Sequence, residues 1–133
     1  MAYPEKYRYT KEHEWVDLQG DVATIGITDY AQHELGDVVF VELPKPGSKT
    51  VRGKAFGTVE SVKAVSEIYA PVAGEVIEAN ATLHDTPEKI NTDPHGVAWL
   101  IKIRVANAAE ISGLMDSVAY EAYIADKSKE ASA

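Results

Sequence analysis

No uninterrupted apolar run in this chain is longer than the five residues Val97 to Ile101. Apolar positions come instead in short bursts closed by Gly, Pro, Asn and Asp, the pattern of brief strands joined by tight turns. Val22, Thr24 and Ile27 follow the turn Gln19-Gly20-Asp21. Val38-Val39-Phe40-Val41 ends at Pro44-Lys45-Pro46-Gly47, where two prolines remove ladder donors and force a loop. Residues 55–62, 64–70, 74–79 and 97–104 form four further predicted strands. The fold is therefore expected to be mainly β.

Two helices are predicted to interrupt the strands. Thr28 suits an N-cap, Asp29 suits the positive end of the helix dipole, and Gly36 supplies a stop, so residues 29–35 are expected to make two helical turns. Near the C-terminus, Asp116 can cap a second helix on which Tyr120, Tyr123 and Ile124 fall at i, i+3 and i+4 and form one apolar stripe. Residues 127–133 have no apolar anchor and are expected to fray.

A chain of 133 residues fits a single domain, so one domain is expected over 1–133. Thirteen Lys and Arg against 21 Asp and Glu give a net charge of −8, which repels polyanions and argues against nucleic acid as a partner. The apolar runs are too short to cross a bilayer, and the N-terminus lacks a basic-then-apolar signal pattern. Met1 to Pro4 lies just before the motif at His13, so no organellar presequence is expected; a bacterial cytoplasmic location is preferred to the mitochondrial matrix. The chain has no cysteine, so disulfides, thiolate metal sites and thiol nucleophiles are excluded, and any sulfur chemistry must come from a cofactor.

A weak internal repeat adds topology. Gly36-Asp37-Val38-Val39 is echoed by Gly74-Glu75-Val76-Ile77 at an offset of 38, and Gly53-Lys54-Ala55-Phe56 by Gly96-Val97-Ala98-Trp99 at an offset of 43. The turn cluster Asn91 to His95 can absorb the difference. Two quasi-symmetric β-halves are implied, with Lys63 on a hairpin connecting two strands.

Other residues have simpler readings. His13, His33, His84 and His95 show no ligand spacing, so no metal site is expected. Glu12-His13-Glu14, read as a strand, would place His13 on the face opposite both acids. Asn80-Ala81-Thr82 matches a glycosylation acceptor by coincidence, Trp15 and Trp99 are packing residues, and no nucleophile–base pair or phosphate loop supports a hydrolase or nucleotide enzyme.

The segment Gly57 to Val76 surrounds Lys63 with strand-forming residues and resembles the lipoyl-lysine motif of the glycine cleavage system H-protein family, within the biotinyl and lipoyl attachment superfamily. Four more blocks match that family in order: His13-Glu14-Trp15-Val16, Ala23 to Asp29, Leu35 to Pro44, and Trp99-Leu100-Ile101-Lys102-Ile103. Val62 and Ala64 flank the lysine where biotin carriers usually place methionines, which favours lipoyl attachment over a carboxylase role. The resemblance implies a barrel-sandwich hybrid of two quasi-symmetric β-halves, with a short helix in the N-terminal half and a C-terminal helix.

It also implies a carrier and not an enzyme. Lipoate would be bound covalently to Lys63 and would shuttle the aminomethyl intermediate of glycine decarboxylation from the pyridoxal-phosphate P protein to the T protein, with reoxidation by the flavin L protein. A lipoate ligase or octanoyltransferase would attach the arm. Glu14 and Glu67 match the family's acids that attract the cationic end of the loaded arm, and Glu12 is a further candidate at a position where the family commonly has a small hydroxyl residue. The alternative is an H-like protein serving mainly as lipoyl or octanoyl donor in a protein-lipoylation relay, which would use the same lysine.

Overall fold

A computed structural model of the chain describes residues 3–132, with side chains through Lys127. Nine strands and five helices follow in chain order: β1 (Arg8–Tyr9), β2 (Glu14–Gln19), β3 (Val22–Ile27), α1 (Asp29–Leu35), β4 (Val38–Glu42), β5 (Lys49–Thr50), β6 (Ala55–Ser61), β7 (Val65–Tyr69), β8 (Gly74–Ala79), α2 (Thr82–Asp85), α3 (Lys89–Thr92), β9 (Ile101–Val105), α4 (Ala109–Ser112) and α5 (Ser117–Ser132), all among the described residues. They build a six-stranded sheet in the order β1-β2-β3-β9-β8-β5 and a three-stranded sheet in the order β4-β6-β7. The two sheets do not close into a barrel. The mainly β hybrid of two halves expected from the sequence is the observed architecture.

Alternation decides which side chains meet between the layers. On β9, Ile101 and Ile103 are fully buried while Lys102 and Arg104 face outward, as a period of two requires. Ile25, Val72 and Val76 join them under the larger sheet; Val41, Val59 and Ile68 of the smaller sheet pack with Leu83, Ile90 and Leu100. Leu43 and Phe56 touch both clusters and join them into one core. Each such buried side chain contributes roughly 1.5–3 kcal/mol.

Both predicted helix caps form. The Thr28 hydroxyl accepts the Ala31 N–H, Gly36 closes α1 at φ 79°, and the Asp116 carboxylate accepts the Ala119 N–H at 2.8 Å. Tyr120 of α5 is fully buried, stacks on Tyr9 at 4.8 Å and is flanked by Tyr123 and Ile124, so the predicted stripe docks the C-terminal helix. The backbone is helical to Ser132; the expected fraying of 127–133 falls mostly on side chains, and on residue 133, that lie outside the described residues.

The 38-residue leg of the repeat is visible in the pairing; the 43-residue leg is not, because Gly96 to Trp99 lie in a turn before β9, whose residues stand at an offset of 42 from those of β6. β4 pairs with β6 and β8 with β9, both antiparallel, and each pair is interrupted by a bulge. The bulges fall between Val38 and Phe40 and between Val76 and Glu78, at positions the 38-residue offset superposes. One fold irregularity is thus used twice.

Three readings need correction. The strand predicted over 97–104 begins at Ile101. Trp99 N–H turns back to Gly96 O, and the buried Asn80 amide donates to both Val97 O and Trp99 O, so a side chain takes up carbonyls that a ladder would have used. Glu12 and His13 lie in a turn and not on a strand: His13 N–H bonds Thr10 O, and His13 adopts φ 73°. Helices α2, α3 and α4 were not expected; at four residues each, they are too short to show an apolar period.

Trp15 lies directly across the β2–β3 ladder from Gly26, stacks on Tyr7 at 4.6 Å and donates to Pro94 O at 2.9 Å. A Cβ at Gly26 would come within 2.6 Å of the indole. Gly26→Ala is therefore expected to displace Trp15 and lower stability by about 1–3 kcal/mol, read as a reduced urea midpoint with altered tryptophan emission.

Candidate functional site

The β6–β7 hairpin forms a finger with Val62 and Lys63 at its tip. Glu60 pairs with Val65, and Ser61 N–H donates to Ala64 O at 2.8 Å, which leaves a two-residue turn. Such turns usually need positive φ at Asn or Gly, yet the only non-glycine residue with positive φ among those described is His13. Ser61 supplies the substitute: its Oγ accepts the N–H groups of Lys63 at 3.3 Å and Ala64 at 3.2 Å. Val62 N–H donates to Asp37 O at 3.0 Å, which ties the tip to the start of β4. Lys63 itself is exposed, and its stem passes Gly36, where a Cβ would sit 3.7 Å from the lysine Cε.

At the base of the finger is a cleft of about 390 Å³ lined by residues that include Thr10, Lys11, Glu12, Glu14, Arg52, Tyr69 and Met115. Five residue steps along β7, roughly 17 Å, lead from Ala64 to Tyr69. Glu14 is 2% exposed, and its oxygens accept the Thr10 hydroxyl at 2.6 Å and the Tyr69 N–H at 3.4 Å. The Glu14 N–H in turn donates to Thr10 Oγ1, and Thr10 N–H to Glu14 O, so a small closed loop of bonds holds the acid in place. Burial pushes its carboxyl up to about 7; the Thr10 and Tyr69 hydrogen bonds pull partly back, and nearby Glu12 pushes it further up.

The structure thus brings two of the three predicted acids to one cleft. Glu67 is exposed on β7 and does not line it; the Tyr69 hydroxyl, which donates to Glu67 at 3.3 Å, links it to the cleft. Thr10, Tyr69 and Ser61 were missed by sequence reading. A lone hydroxyl carries no spacing signal, and each of the three acts through the register that folding creates.

The histidines have structural partners. His13 Nδ1 meets the Tyr120 hydroxyl at 2.8 Å, and His95 Nε2 accepts the Asp29 N–H at 3.0 Å. Burial lowers both imidazole pKa values. Among the described residues no group of three or more His, Cys, Asp or Glu could hold a metal, and no helix is long and apolar enough to cross a membrane.

Two sheets around one core, with a single lysine displayed on a braced β-finger, define a carrier domain of the biotinyl and lipoyl kind. A model of the glycine cleavage H-protein family matches residues 7–127. The glycine cleavage system H protein of Acidobacterium capsulatum is 58% identical over 127 residues, covering 96% of this chain and 98% of that protein. That of Bacteroides fragilis is 51% identical over 124 residues, covering 93% and 98%. The crystal structure of a glycine cleavage system H protein from Mycobacterium marinum superposes with a TM-score of 0.82 at 37% identity, covering 89% of this chain and 95% of that one. The chain belongs to the glycine cleavage H-protein family, carrier subunits and not catalysts.

Two outcomes follow from the geometry. Ser61→Ala should cost about 1 kcal/mol and speed amide exchange at Lys63 and Ala64, read by NMR, because both N–H groups lose their acceptor. For Glu14 the folded-state pKa of about 7 lies above the ordinary 4.5, so the folded chain holds the extra proton between those values. Wild-type stability should therefore fall as pH rises from about 4.5 to 7, by on the order of 2–3 kcal/mol, relative to Glu14→Gln, measured by urea unfolding across that range.

Proposed function

We propose that Lys63 carries covalently bound lipoate and that the chain works as the lipoylated carrier of the glycine cleavage system. The observation that carries this reading is the exposed amine at the two-residue tip, braced by Ser61 and Asp37. An attaching enzyme can reach Lys63 from solvent, and the backbone beneath it is hydrogen-bonded on both sides of the turn. The arm fits: Lys63 is exposed, and glycine at position 36 leaves the stem room. When bound, lipoate would supply a dithiolane to a chain without cysteine, with a sulfur that takes up the aminomethyl unit of glycine.

The protein's own part is display, shelter and charge. The finger keeps the arm's root at a fixed place, so the tethered group samples a small volume at high effective concentration. Glu14 is buried in the cleft with its carboxyl pushed up to about 7, and an approaching ammonium would favour its ionised form. Glu12 at the rim and Glu67 beyond Tyr69 extend the negative field. The partners in this reading are the decarboxylating P protein, the folate-dependent T protein, the flavin L protein, and a lipoate ligase or octanoyltransferase. The relatives named above are bacterial, which supports a bacterial cytoplasmic setting.

Intact-mass measurement of the chain after incubation with a lipoate ligase, lipoate and ATP should show one lipoyl adduct, absent in Lys63→Ala. The same substitution should abolish glycine–bicarbonate exchange with the P protein and leave the melting temperature near that of the wild type. An adduct at another lysine, or full exchange without any adduct, would overturn the assignment.

A further inference from the structure

A β-bulge breaks the alternation of a strand, so two successive side chains can face the same way. In β4 the bulge turns both Val39 and Phe40 to solvent, at 48% and 45% exposure. Beside them, Val62 at the finger tip is 70% exposed and Val65 is 63% exposed. Phe40, Glu60 and Val65 lie in one cross-strand row on the outer face of the small sheet, next to the turn that holds Lys63. None of these four apolar side chains belongs to a core cluster.

The fold contains its own control. The equivalent bulge in β8 presents Ile77, which is half-buried, and Glu78, which lies 3.9 Å from Lys102. The same backbone irregularity therefore tolerates a charged, solvated residue, and the fold does not require Phe40. The exposed pair occurs only in the half that carries Lys63. Around it, Lys63 is the one cation among residues 37–42 and 58–67, against Asp37, Glu42, Glu60 and Glu67.

We infer that Val39, Phe40, Val62 and Val65 form an apolar docking collar for the enzyme that acylates Lys63, and that this enzyme's active-site mouth presents an apolar ring inside a basic rim. The inference rests on the lipoyl-lysine reading. An enzyme that draws the amine into its active site must close over the tip, and these are the side chains the tip and its neighbouring strand put there. Four side chains make a small patch, suited to a contact that forms and releases with each encounter.

The test uses the full chain, a lipoate ligase with lipoate and ATP, and adduct formation followed by intact mass. The Phe40→Thr/Val65→Thr double variant, and Phe40→Thr and Val62→Thr separately, remove the apolar surface while keeping strand propensity. Each melting temperature is checked, and the singles keep the test open if the double variant does not fold. The polar variants should raise KM for the chain about tenfold with kcat within about twofold, while Phe40→Leu and the remote Val118→Thr stay near the wild type. Calorimetric titration of the ligase into Lys63→Arg, with and without the collar substitutions, should show the same loss of affinity with no chemistry involved. Unchanged KM and affinity in the folded polar variants, with Lys63 still acylated, would overturn the collar and leave the carrier reading intact. A wild-type chain that takes no adduct at Lys63 would overturn both.

Discussion

Strand β6 is hydrogen-bonded along both edges, to β4 on one side and β7 on the other, and the position of Lys63 follows from that. A lone hairpin is marginal in water; a third strand and a buried face make it persist. Val59, fully buried at the centre of β6, ties the finger to the core between the sheets, while Glu60 and Ser61 carry the register outward to the turn. The finger's base is held separately, through Tyr69 and the buried carboxylate of Glu14. Fixing both ends leaves the lysine side chain as the part free to move, which is what a tethered carrier needs.

The two halves share a plan but differ in use. The bulges at Val39 and Ile77 occupy equivalent places, and the β4–β6 and β8–β9 pairs run in different sheets. One half ends in the display turn. The other is continued by β9 into the six-stranded sheet, where its outward residues are Lys102 and Arg104 and pair with Glu78 and Asp21. The two halves thus share a scaffold and differ in the residues they turn outward.

What could be read from the sequence was whatever has a period or a cap. Thr28, Gly36 and Asp116 announced their helix ends because capping acts between near neighbours, and β3, β4 and β8 were legible from compact β-rich apolar segments and turn residues. Lys63 was identified through a family resemblance and the strands beside it, because its own turn lacks the usual Asn-Gly pair. The missing signal was Ser61, which replaces that pair with side-chain acceptance. Trp99 was assigned to a strand because the apolar run is continuous, while the Asn80 amide that holds the segment in a turn acts from 19 residues away. Glu14 and Glu12 were found as acids, but their sharing of a cleft depends on the Thr10–Glu14 bond loop and on β7 arriving beside it. Asn80 matched a glycosylation acceptor by sequence; buried and bonded to two carbonyls, it is a structural residue.

Gly36 ends α1 with a backbone geometry, φ 79° and ψ −157°, that disfavours residues with side chains, and it lies beside the stem of Lys63. One stop residue therefore also keeps the space beside the lysine stem open. The end of α1 thus lies along one side of the lysine stem, with no side chain of its own between them. A helix stop and the space beside the lysine are one and the same missing side chain.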